Sequence, residues 1–282
     1  MPFELLDSLS LPGDSERPND DSFGFSEKAA LVMDGATSLA EPLMPGKSDA
    51  AWLAAFGTRR ILAHLQEGMS ARESLRAAME DADRSFCALR RRAPAETYEM
   101  PFASMMLVAE QDHAIAALWF GDCTAVFQSR DGEVEIVGHA FASRAAEARG
   151  VAQLAKAKGL APAAGFNRDE YLPSLRKARN RINRDGGAWL FGPDACAAGH
   201  VASRQLAAVS GTTILLATDG FLALASDYGR YNAAELMSAA RGKGLEALGA
   251  ELRAVEEEDP RGVRYPRFKT SDDATAVLLR YS

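Results

Sequence analysis

Short apolar runs rich in β-branched residues recur along the chain between turn residues, and this pattern predicts β-strands. The predicted strands cover residues 29–33, 105–109, 114–120, 125–128, 133–137, 214–217 and 275–279. Between the fourth and fifth of these runs lies Ser129-Arg130-Asp131-Gly132, and an Asp-Gly pair flanked by apolar runs is a strong hairpin signal. Strands that follow one another without helices between them indicate antiparallel pairing.

Helical patterns occur in groups instead of alternating with every strand. Ser48 is expected to cap one helix, and Ser70-Ala71-Arg72-Glu73 is a capping box that should begin a second. Near the C-terminal end, Asn232 should begin another helix, and an apolar stripe from Leu245 to Val255 predicts one more. The grouping favours one α+β domain over residues 1–282, with antiparallel sheets, helices packed outside them and an irregular elaboration at about residues 139–210.

Composition and charge narrow the classes of protein. The net charge of −7 lacks the basic footprint of a nucleic-acid or membrane-surface binder, so neither partner is expected. No stretch reaches the roughly 18 apolar residues of a membrane span, and the N-terminal stretch has no signal-peptide pattern. The three cysteines are widely spaced and form no C-x-x-C pair, which is typical of a reducing compartment. We therefore expect a cytoplasmic protein, of an oligomeric state that the sequence leaves open.

Aspartates recur where apolar strands begin or end. Asp34-Gly35, Gly121-Asp122 and Asp219-Gly220 each follow a predicted strand, and Asp272-Asp273 precedes the last one. Carboxylates that converge at one rim of a core repel one another unless cations lie among them, and Mg²⁺ and Mn²⁺ prefer such oxygen ligands. A single Asp-Gly after a strand is more often a turn, as Asp131-Gly132 should be. The repetition favours a metal site, although the sequence alone does not prove that the carboxylates converge.

The ordered series of motifs resembles the metal-dependent serine/threonine protein phosphatases of type 2C. The matching motifs are Asn19-Asp20-Asp21, Val32-Met33-Asp34-Gly35, Gly121-Asp122, Ala217-Thr218-Asp219-Gly220 and Asp272-Asp273-Ala274-Thr275. The resemblance implies a central antiparallel β-sandwich flanked by helices on both outer faces. It also implies hydrolysis of phosphoserine or phosphothreonine in a phosphorylated protein substrate, with two Mn²⁺ or Mg²⁺ ions and a weak third.

The same resemblance implies a role for each matching residue. Asp34 would bridge two ions, and Gly35 would offer its backbone carbonyl. Asp219 and Asp272 would complete one metal, and Asp122 would bind the weaker third ion. Asp20 and Asp21 would act from the outer shell. Arg17 would hold the substrate phosphate. A metal-activated water would attack the phosphorus in line, without a phosphoenzyme intermediate.

The sequence also departs from the family pattern. Ala36 stands where many eukaryotic members have a histidine, and Ala223 stands where an aspartate often follows the equivalent of Asp219. Arg17 is one residue closer to the acidic pair than expected, and the Gly-Asp-Ser-Arg type motif is reduced to Gly121-Asp122-Cys123-Thr124. These departures motivate the main alternative, a catalytically inactive phosphatase-like binding or regulatory module.

Two further features have competing interpretations. Pro45-Gly46-Lys47-Ser48 suggests a P-loop nucleotidase, but Glu41 replaces the first glycine of that motif, so a turn and helix cap are favoured. The basic stretch Arg176–Arg184 is typical of a solvated helix face, and its sharper interpretation is a docking surface for a phosphorylated partner. The four histidines lack zinc-site spacing and should be surface or packing residues.

Overall fold

The strands of this chain form two five-stranded antiparallel sheets in a computed structural model that describes residues 2–139, 168–265, 267 and 269–282. In chain order the strands are β1 (Phe3–Leu11), β2 (Asp21–Ser26), β3 (Ala29–Gly35), β4 (Ala103–Gln111), β5 (Ala114–Phe120), β6 (Thr124–Gln128), β7 (Val134–Val137), β8 (Ala202–Ala207), β9 (Thr213–Ala217) and β10 (Ala274–Tyr281). One sheet has the order β1-β10-β9-β6-β7, and the other has the order β2-β3-β4-β5-β8.

Helices cover the outer faces of both sheets. They are α1 (Asp49–Gln66), α2 (Ala71–Leu89), α3 (Arg168–Arg179), α4 (Asp219–Ser226), α5 (Ala233–Lys243) and α6 (Leu245–Glu258). Short 3₁₀ turns lie at Thr97–Glu99 and Ala195–His200. None of the helices described is long and apolar enough to cross a membrane.

Successive side chains of the central strands point to opposite faces, and the structure has three apolar layers. In β3, Leu31 and Met33 face α1 and α2, whereas Ala30 and Val32 point into the layer between the sheets. Successive side chains of a strand point to opposite faces, so a strand buried on both sides reads as a continuous apolar run. The third layer lies between the first sheet and α4, α5 and α6. The predicted α+β sandwich with helices on both outer faces is therefore confirmed.

The predicted helix starts are confirmed by the cap geometry. Ser48 Oγ accepts a hydrogen bond from Ala51 N at 3.2 Å, and α1 begins at the next residue. Ser70 and Asn232 each form a capping box with the glutamate three residues later. Each cap satisfies backbone N–H groups that would otherwise lack partners in the first turn.

The predicted hairpin is also confirmed. β6 pairs antiparallel with β7, and Gly132 N donates to Ser129 O at 3.0 Å within the turn. Gly132 has a φ of +90°, a conformation that residues with a Cβ rarely adopt. Asp131-Gly132 is thus a turn, as expected.

Three strands were not predicted from the sequence: β1, β2 and β8. All three lie at sheet edges, since each pairs with a single neighbour. Most of their residues are half-buried or exposed, as in β1 with its sequence FELLDSLSL. Edge strands carry polar and charged side chains that discourage pairing with other molecules, and this weakens the apolar signal.

The segment expected to be irregular is only partly described, because residues 140–167 lie outside the described part. The described remainder is more regular than predicted: it contains α3, a turn at residues 180–187 and β8, which completes the second sheet. That the whole chain is one catalytic domain stays a prediction.

Candidate metal centre

Three carboxylates from distant parts of the chain converge at one end of the sandwich. Asp34 lies near the end of β3, Asp122 follows β5, and Asp219 is the first residue of α4, just after β9. Each offers one carboxylate oxygen, and these three oxygens all lie within 4.8 Å of one another. Two of the strands belong to one sheet and the third to the other, so the site forms where the two sheets meet.

Asp21 lies directly behind this cluster. It is paired with Asp34 in the register of β2 and β3, and its side chain is buried. Its Oδ2 accepts a hydrogen bond from Thr218 Oγ1 at 2.8 Å. Its Oδ1 is buried without a hydrogen-bond partner among the described residues. Because buried polar atoms are almost always paired in native proteins, this oxygen is expected to have a partner such as a water or a cation.

Thr218 was missed by the sequence reasoning. It is the N-cap residue of α4, yet its side chain makes no capping hydrogen bond. Its hydroxyl instead donates to Asp21 and accepts from Thr275 N at 3.0 Å. The residue thus joins β2, β10 and the start of α4, which fixes Asp219 relative to Asp21. Its position between a strand and Asp219 was the available signal.

The cluster opposes its own ionisation. Burial raises the pKa of Asp34 well above its ordinary value, and the neighbouring carboxylates of Asp219, Asp21, Asp122 and Asp272 raise it further. Burial likewise raises the pKa of Asp21, with additional repulsion from other aspartates of the site. A divalent cation would offset the cost of burying these charges and would screen their mutual repulsion, and the donor set consists of the hard oxygens that Mg²⁺ and Mn²⁺ prefer. The residues therefore fit such an ion.

Asp272 lies outside the group of three. Its Oδ1 accepts hydrogen bonds from Lys269 Nζ at 2.6 Å and from Asp273 N at 3.0 Å. Lys269 Nζ also donates to Thr37 Oγ1 at 3.1 Å. The structure thus brings Asp34 and Asp219 together with Asp122, while it pairs Asp272 with an ammonium group. The sequence reasoning missed Lys269, whose place three residues before an aspartate is common in solvated loops.

Asp20 and Asp273 connect the N-terminal and C-terminal segments of the chain beside the cluster. The Asp273 carboxylate accepts from Gly13 N and from Asp20 N, each at 2.7 Å. Ser48 Oγ donates to Asp20 Oδ1. Burial raises the pKa of Asp20; the Ser48 hydrogen bond and the positive charges of Lys269 and Arg17 act against that rise. Asp20 is therefore held by hydrogen bonds at its backbone N–H and at its carboxylate, and its role toward a metal stays a prediction.

Gly35 and Gly220 allow backbones to approach closely around the site. A Cβ at Gly35 would lie 2.5 Å from Asp20 O and 2.9 Å from Ala50 O. A Cβ at Gly220 would lie 1.9 Å from Asp273 O. Neither position has room for a side chain, so both glycines are required by packing against neighbouring backbone.

The predicted phosphate-binding residue Arg17 is exposed near the rim of the site. Its backbone N–H closes a turn by donating to Asp14 O at 3.2 Å. Its charge reaches Asp20, where it acts more weakly than the charge of Lys269. The structure therefore places Arg17 beside the acidic cluster, and its role toward a substrate stays a prediction.

Two arginines of the basic stretch hold the loop that follows Gly35. Arg176 donates through Nε and Nη2 to Leu39 O at 3.1 and 2.8 Å, and its guanidinium lies 4.8 Å from the ring centre of Tyr98. Arg179 Nη1 donates to Thr37 O at 2.7 Å. For these two residues the interpretation as a solvated helix face is wrong, because their charged groups bind backbone of this same chain.

Comparison with known proteins decides the family. The sequence model of protein phosphatase 2C matches residues 14–253, which is most of the chain. The chain belongs to the protein phosphatase 2C family. No curated protein sequence matches it significantly.

Solved structures of bacterial phosphatases share the type-2C fold of this chain. The serine/threonine phosphatase PstP/Ppp of Mycobacterium tuberculosis is 14% identical, with a TM-score of 0.56 and 100% of each chain covered. The PPM Ser-Thr phosphatase MsPP of Mycobacterium smegmatis, in complex with cacodylate, is 15% identical, with a TM-score of 0.56 and 99% of each chain covered. The PstP catalytic domain with two manganese ions is 14% identical, with a TM-score of 0.53, covering 99% of this chain and 98% of that one.

Two departures from the type-2C pattern have clear structural settings. Ala36 N donates to Phe102 O at 2.9 Å, so the backbone after Gly35 is fixed although the position lacks a polar side chain. Ala223 is 2% exposed and packs in the layer beneath α4. An aspartate at position 223 would enter an apolar environment unless the helix shifted.

The competing P-loop interpretation finds no support in the loop geometry. Asp49, the first residue of α1, accepts hydrogen bonds from Leu43 N at 2.6 Å and from Met44 N at 2.9 Å. These amides therefore face a carboxylate of the chain itself, where a P-loop would direct amides toward a phosphate. Ser48 serves as a helix cap, as the favoured alternative predicted.

Proposed function

We propose that this type-2C phosphatase hydrolyses phosphoserine and phosphothreonine in proteins and that it depends on Mn²⁺ or Mg²⁺. The observation that carries the proposal is the convergence of Asp34, Asp122 and Asp219 in front of an unpartnered Asp21 oxygen. Such a cluster of half-buried carboxylates is costly without a cation because the carboxylates repel one another, and type-2C membership supplies the reaction class.

The residues divide into two groups of ligands in this proposal. Asp34, Asp122 and Asp219 would hold one ion, since their oxygens already lie together. Asp34 would also bind a second ion together with the Gly35 carbonyl, and Asp272 would complete the ion held by Asp34 and Asp219. Asp20 and Asp21 would act from behind, through waters or by orienting the ligands. The two manganese ions bound by the PstP catalytic domain support the number two.

Divalent ions in such a site supply an activated water and neutralise the oxygens of the phosphoryl group. The protein would supply rigid placement. Asp34 is fixed in the central strand β3, between β2 and β4, and Asp219 is fixed at the N-terminus of α4, where a carboxylate is favoured by the helix dipole. Because position 36 is alanine, we propose that solvent water protonates the leaving group. Arg17, exposed at the rim, is proposed to hold the substrate phosphate by a charge-assisted hydrogen bond.

The direct test is hydrolysis by protein stripped of metal with a chelator. Re-addition of Mn²⁺ or Mg²⁺ should restore phosphate release from an aryl phosphate and from a phosphothreonine peptide. Asp34→Ala should lower that rate by at least about 10²-fold, the scale of losing one group that stabilises the transition state. Asp131→Ala, at the tip of the β6–β7 hairpin, is the matched control and should keep full activity. A metal-loaded wild type that is inert on both substrates would refute the enzymatic proposal.

A second candidate function is a phosphatase-like binding or regulatory module that has lost turnover. The ion pair between Lys269 and Asp272 favours it, because one proposed metal ligand already has a cation. This candidate predicts that the protein binds a phosphothreonine peptide in the presence of Mn²⁺ without releasing phosphate. Release of phosphate at a rate that depends on Asp34 would exclude it.

A further inference from the structure

Arg253 of α6 binds the backbone of the proposed metal ligand Asp272. Its Nη2 donates to Asp272 O at 2.9 Å. The same nitrogen donates to Pro12 O at 3.1 Å and makes a longer contact with Leu11 O at 3.4 Å. Nη1 pairs with Glu256 Oε2 at 2.7 Å, one turn further along the helix. Because the Arg253 side chain is only 22% exposed, its guanidinium is a largely buried link from α6 to the end of β1 and to the segment before β10.

The segment after β1 packs against the same backbone. A Cβ at Gly13 would lie 2.6 Å from Asp272 C and 2.7 Å from Ser271 O, so the two backbones are in close contact. Asp273 Oδ1 accepts a hydrogen bond from Gly13 N at 2.7 Å. The side chain of Asp272, in contrast, is 36% exposed. The backbone of Asp272 is thus enclosed by its neighbours while its carboxylate reaches solvent at the edge of the cluster.

Asp272 lies just outside the sheet. β10 begins at Ala274, which pairs with Leu11 of β1. Asp272 precedes this first pair of the ladder, and the hydrogen bond to its carbonyl comes from Arg253 instead of from a strand. Hydrogen bonds from a charged donor are stronger than neutral ones, and a buried carbonyl that loses its partner is costly. Loss of the Arg253 guanidinium should therefore allow the backbone at Asp272 to shift.

We propose that Arg253 is a positioning residue for the metal centre. It holds the backbone of Asp272 so that the carboxylate is directed at the ion that Asp34 and Asp219 also bind. Ligands must be held to within about 0.5 Å of their productive positions, and loss of a residue that supports a ligand typically lowers metal affinity about 10- to 100-fold. Asp272 is a ligand under the proposed function, so the inference rests on that proposal, although it does not require hydrolysis.

Calorimetric titration of chelator-treated protein with Mn²⁺ tests the role of Arg253 without measuring activity. Arg253→Met should weaken Mn²⁺ binding about tenfold relative to wild type. Arg253→Lys keeps one charged donor and should lose less affinity; it replaces Arg253→Met in every comparison if that variant does not fold. Arg241→Met is the matched control and should bind Mn²⁺ as wild type does. It removes an arginine of α5 whose Nη1 donates to Gln128, at the end of β6 away from Asp122.

A double-mutant cycle with Asp272→Asn separates positioning of the ligand from a general effect on the fold. Arg253→Met should weaken Mn²⁺ binding in the wild-type background and cause no further loss in Asp272→Asn, because the ligand that it positions is gone. Equal losses in the two backgrounds would overturn the inference, and so would unchanged affinity in an Arg253→Met protein that is folded by circular dichroism. If wild type itself binds no Mn²⁺, the inference and the metal-dependent function fail together. The expected binding pattern without release of phosphate from a phosphothreonine peptide refutes the hydrolytic function alone.

Discussion

Asp34 occupies a position where burial and four neighbouring carboxylates oppose its negative charge. The folded protein tolerates this because β3 is held on both sides by β2 and β4 in an apolar sandwich. The consequence is a conflict between stability and function at one residue. The carboxylate that is most useful for binding a cation also destabilises the folded protein electrostatically when no cation is bound.

This conflict predicts how the stability of the metal-free protein depends on pH. The pKa of Asp34 is raised above the value of about 3.9 in unfolded chains, so the folded state binds more protons than the unfolded state. The contribution of Asp34 to stability is then full at pH values below about 4 and is lost as the pH rises through its folded pKa. Thermal unfolding in chelator at pH 5 and pH 8 should show wild type losing stability at the higher pH relative to Asp34→Asn.

At pH 8 without metal, Asp34→Asn should be the more stable protein by about 1–3 kcal/mol, as expected when a buried unpaired charge is neutralised. Mn²⁺ should reverse this order, because it should stabilise wild type and leave Asp34→Asn nearly unchanged. Asp131→Asn, on the exposed hairpin, is the control for loss of an aspartate. Lower stability of Asp34→Asn at pH 8 in chelator would contradict this account of the cluster.

At the residue scale, the sequence indicated which residues form the site more reliably than it indicated their hydrogen-bond partners. The aspartates at strand ends were visible because a charged residue directly after an apolar run is unusual, and Asp34, Asp122 and Asp219 do converge. Their hydrogen-bonded supports were not visible. Lys269 reaches its partner Thr37 across 232 positions of the chain, and no local pattern encodes a contact of that range.

At the level of elements, α3 secures the loop after Gly35. Arg176 reaches across to Leu39 O with two hydrogen bonds and lies over the ring of Tyr98. A planar guanidinium can stack on a ring while its edge donates two hydrogen bonds to one carbonyl oxygen. The loop also contributes Thr37, the partner of Lys269, so its position affects the rim of the proposed site.

Loss of this contact should loosen the loop more than the fold. Arg176→Ala should speed amide hydrogen exchange over residues 36–48, with a local destabilisation of about 1.5–3 kcal/mol for hydrogen bonds to a charged donor. Arg181→Ala is the control, because Arg181 Nη2 donates to Gly186 O within its own turn. Exchange measured by mass spectrometry decides the matter: protection over residues 36–48 that is the same in Arg176→Ala and wild type would contradict the role of α3.

Elements with a clear local sequence signal were predicted, whereas three edge strands without an apolar signal were not. The caps at Ser48, Ser70 and Asn232 satisfy backbone groups within a few residues, so their sequence pattern is sufficient. The edge strands β1, β2 and β8 exist because a partner strand offers hydrogen bonds to them. Their own sequences are too polar to indicate a strand.

At the scale of the whole molecule, the sandwich brings residues that are far apart in the sequence together in one site. The backbone of Asp20 binds the carboxylate of Asp273, 253 positions away, and the two sheets together contribute the cluster. The chain is acidic overall, with a net charge of −7, so local positive charge for a phosphate must come from bound cations or from single residues such as Lys269 and Arg17. The fold therefore concentrates negative charge where the proposed function needs metal.

The most direct measurement is anomalous X-ray scattering from crystals grown with Mn²⁺, with data collected on both sides of the manganese absorption edge. The account predicts a strong anomalous peak among the carboxylates of Asp34, Asp122 and Asp219. Crystals of Asp34→Asn should lack this peak. A wild-type crystal in saturating Mn²⁺ with no peak at the three carboxylates would contradict the central claim that this cluster is a metal site.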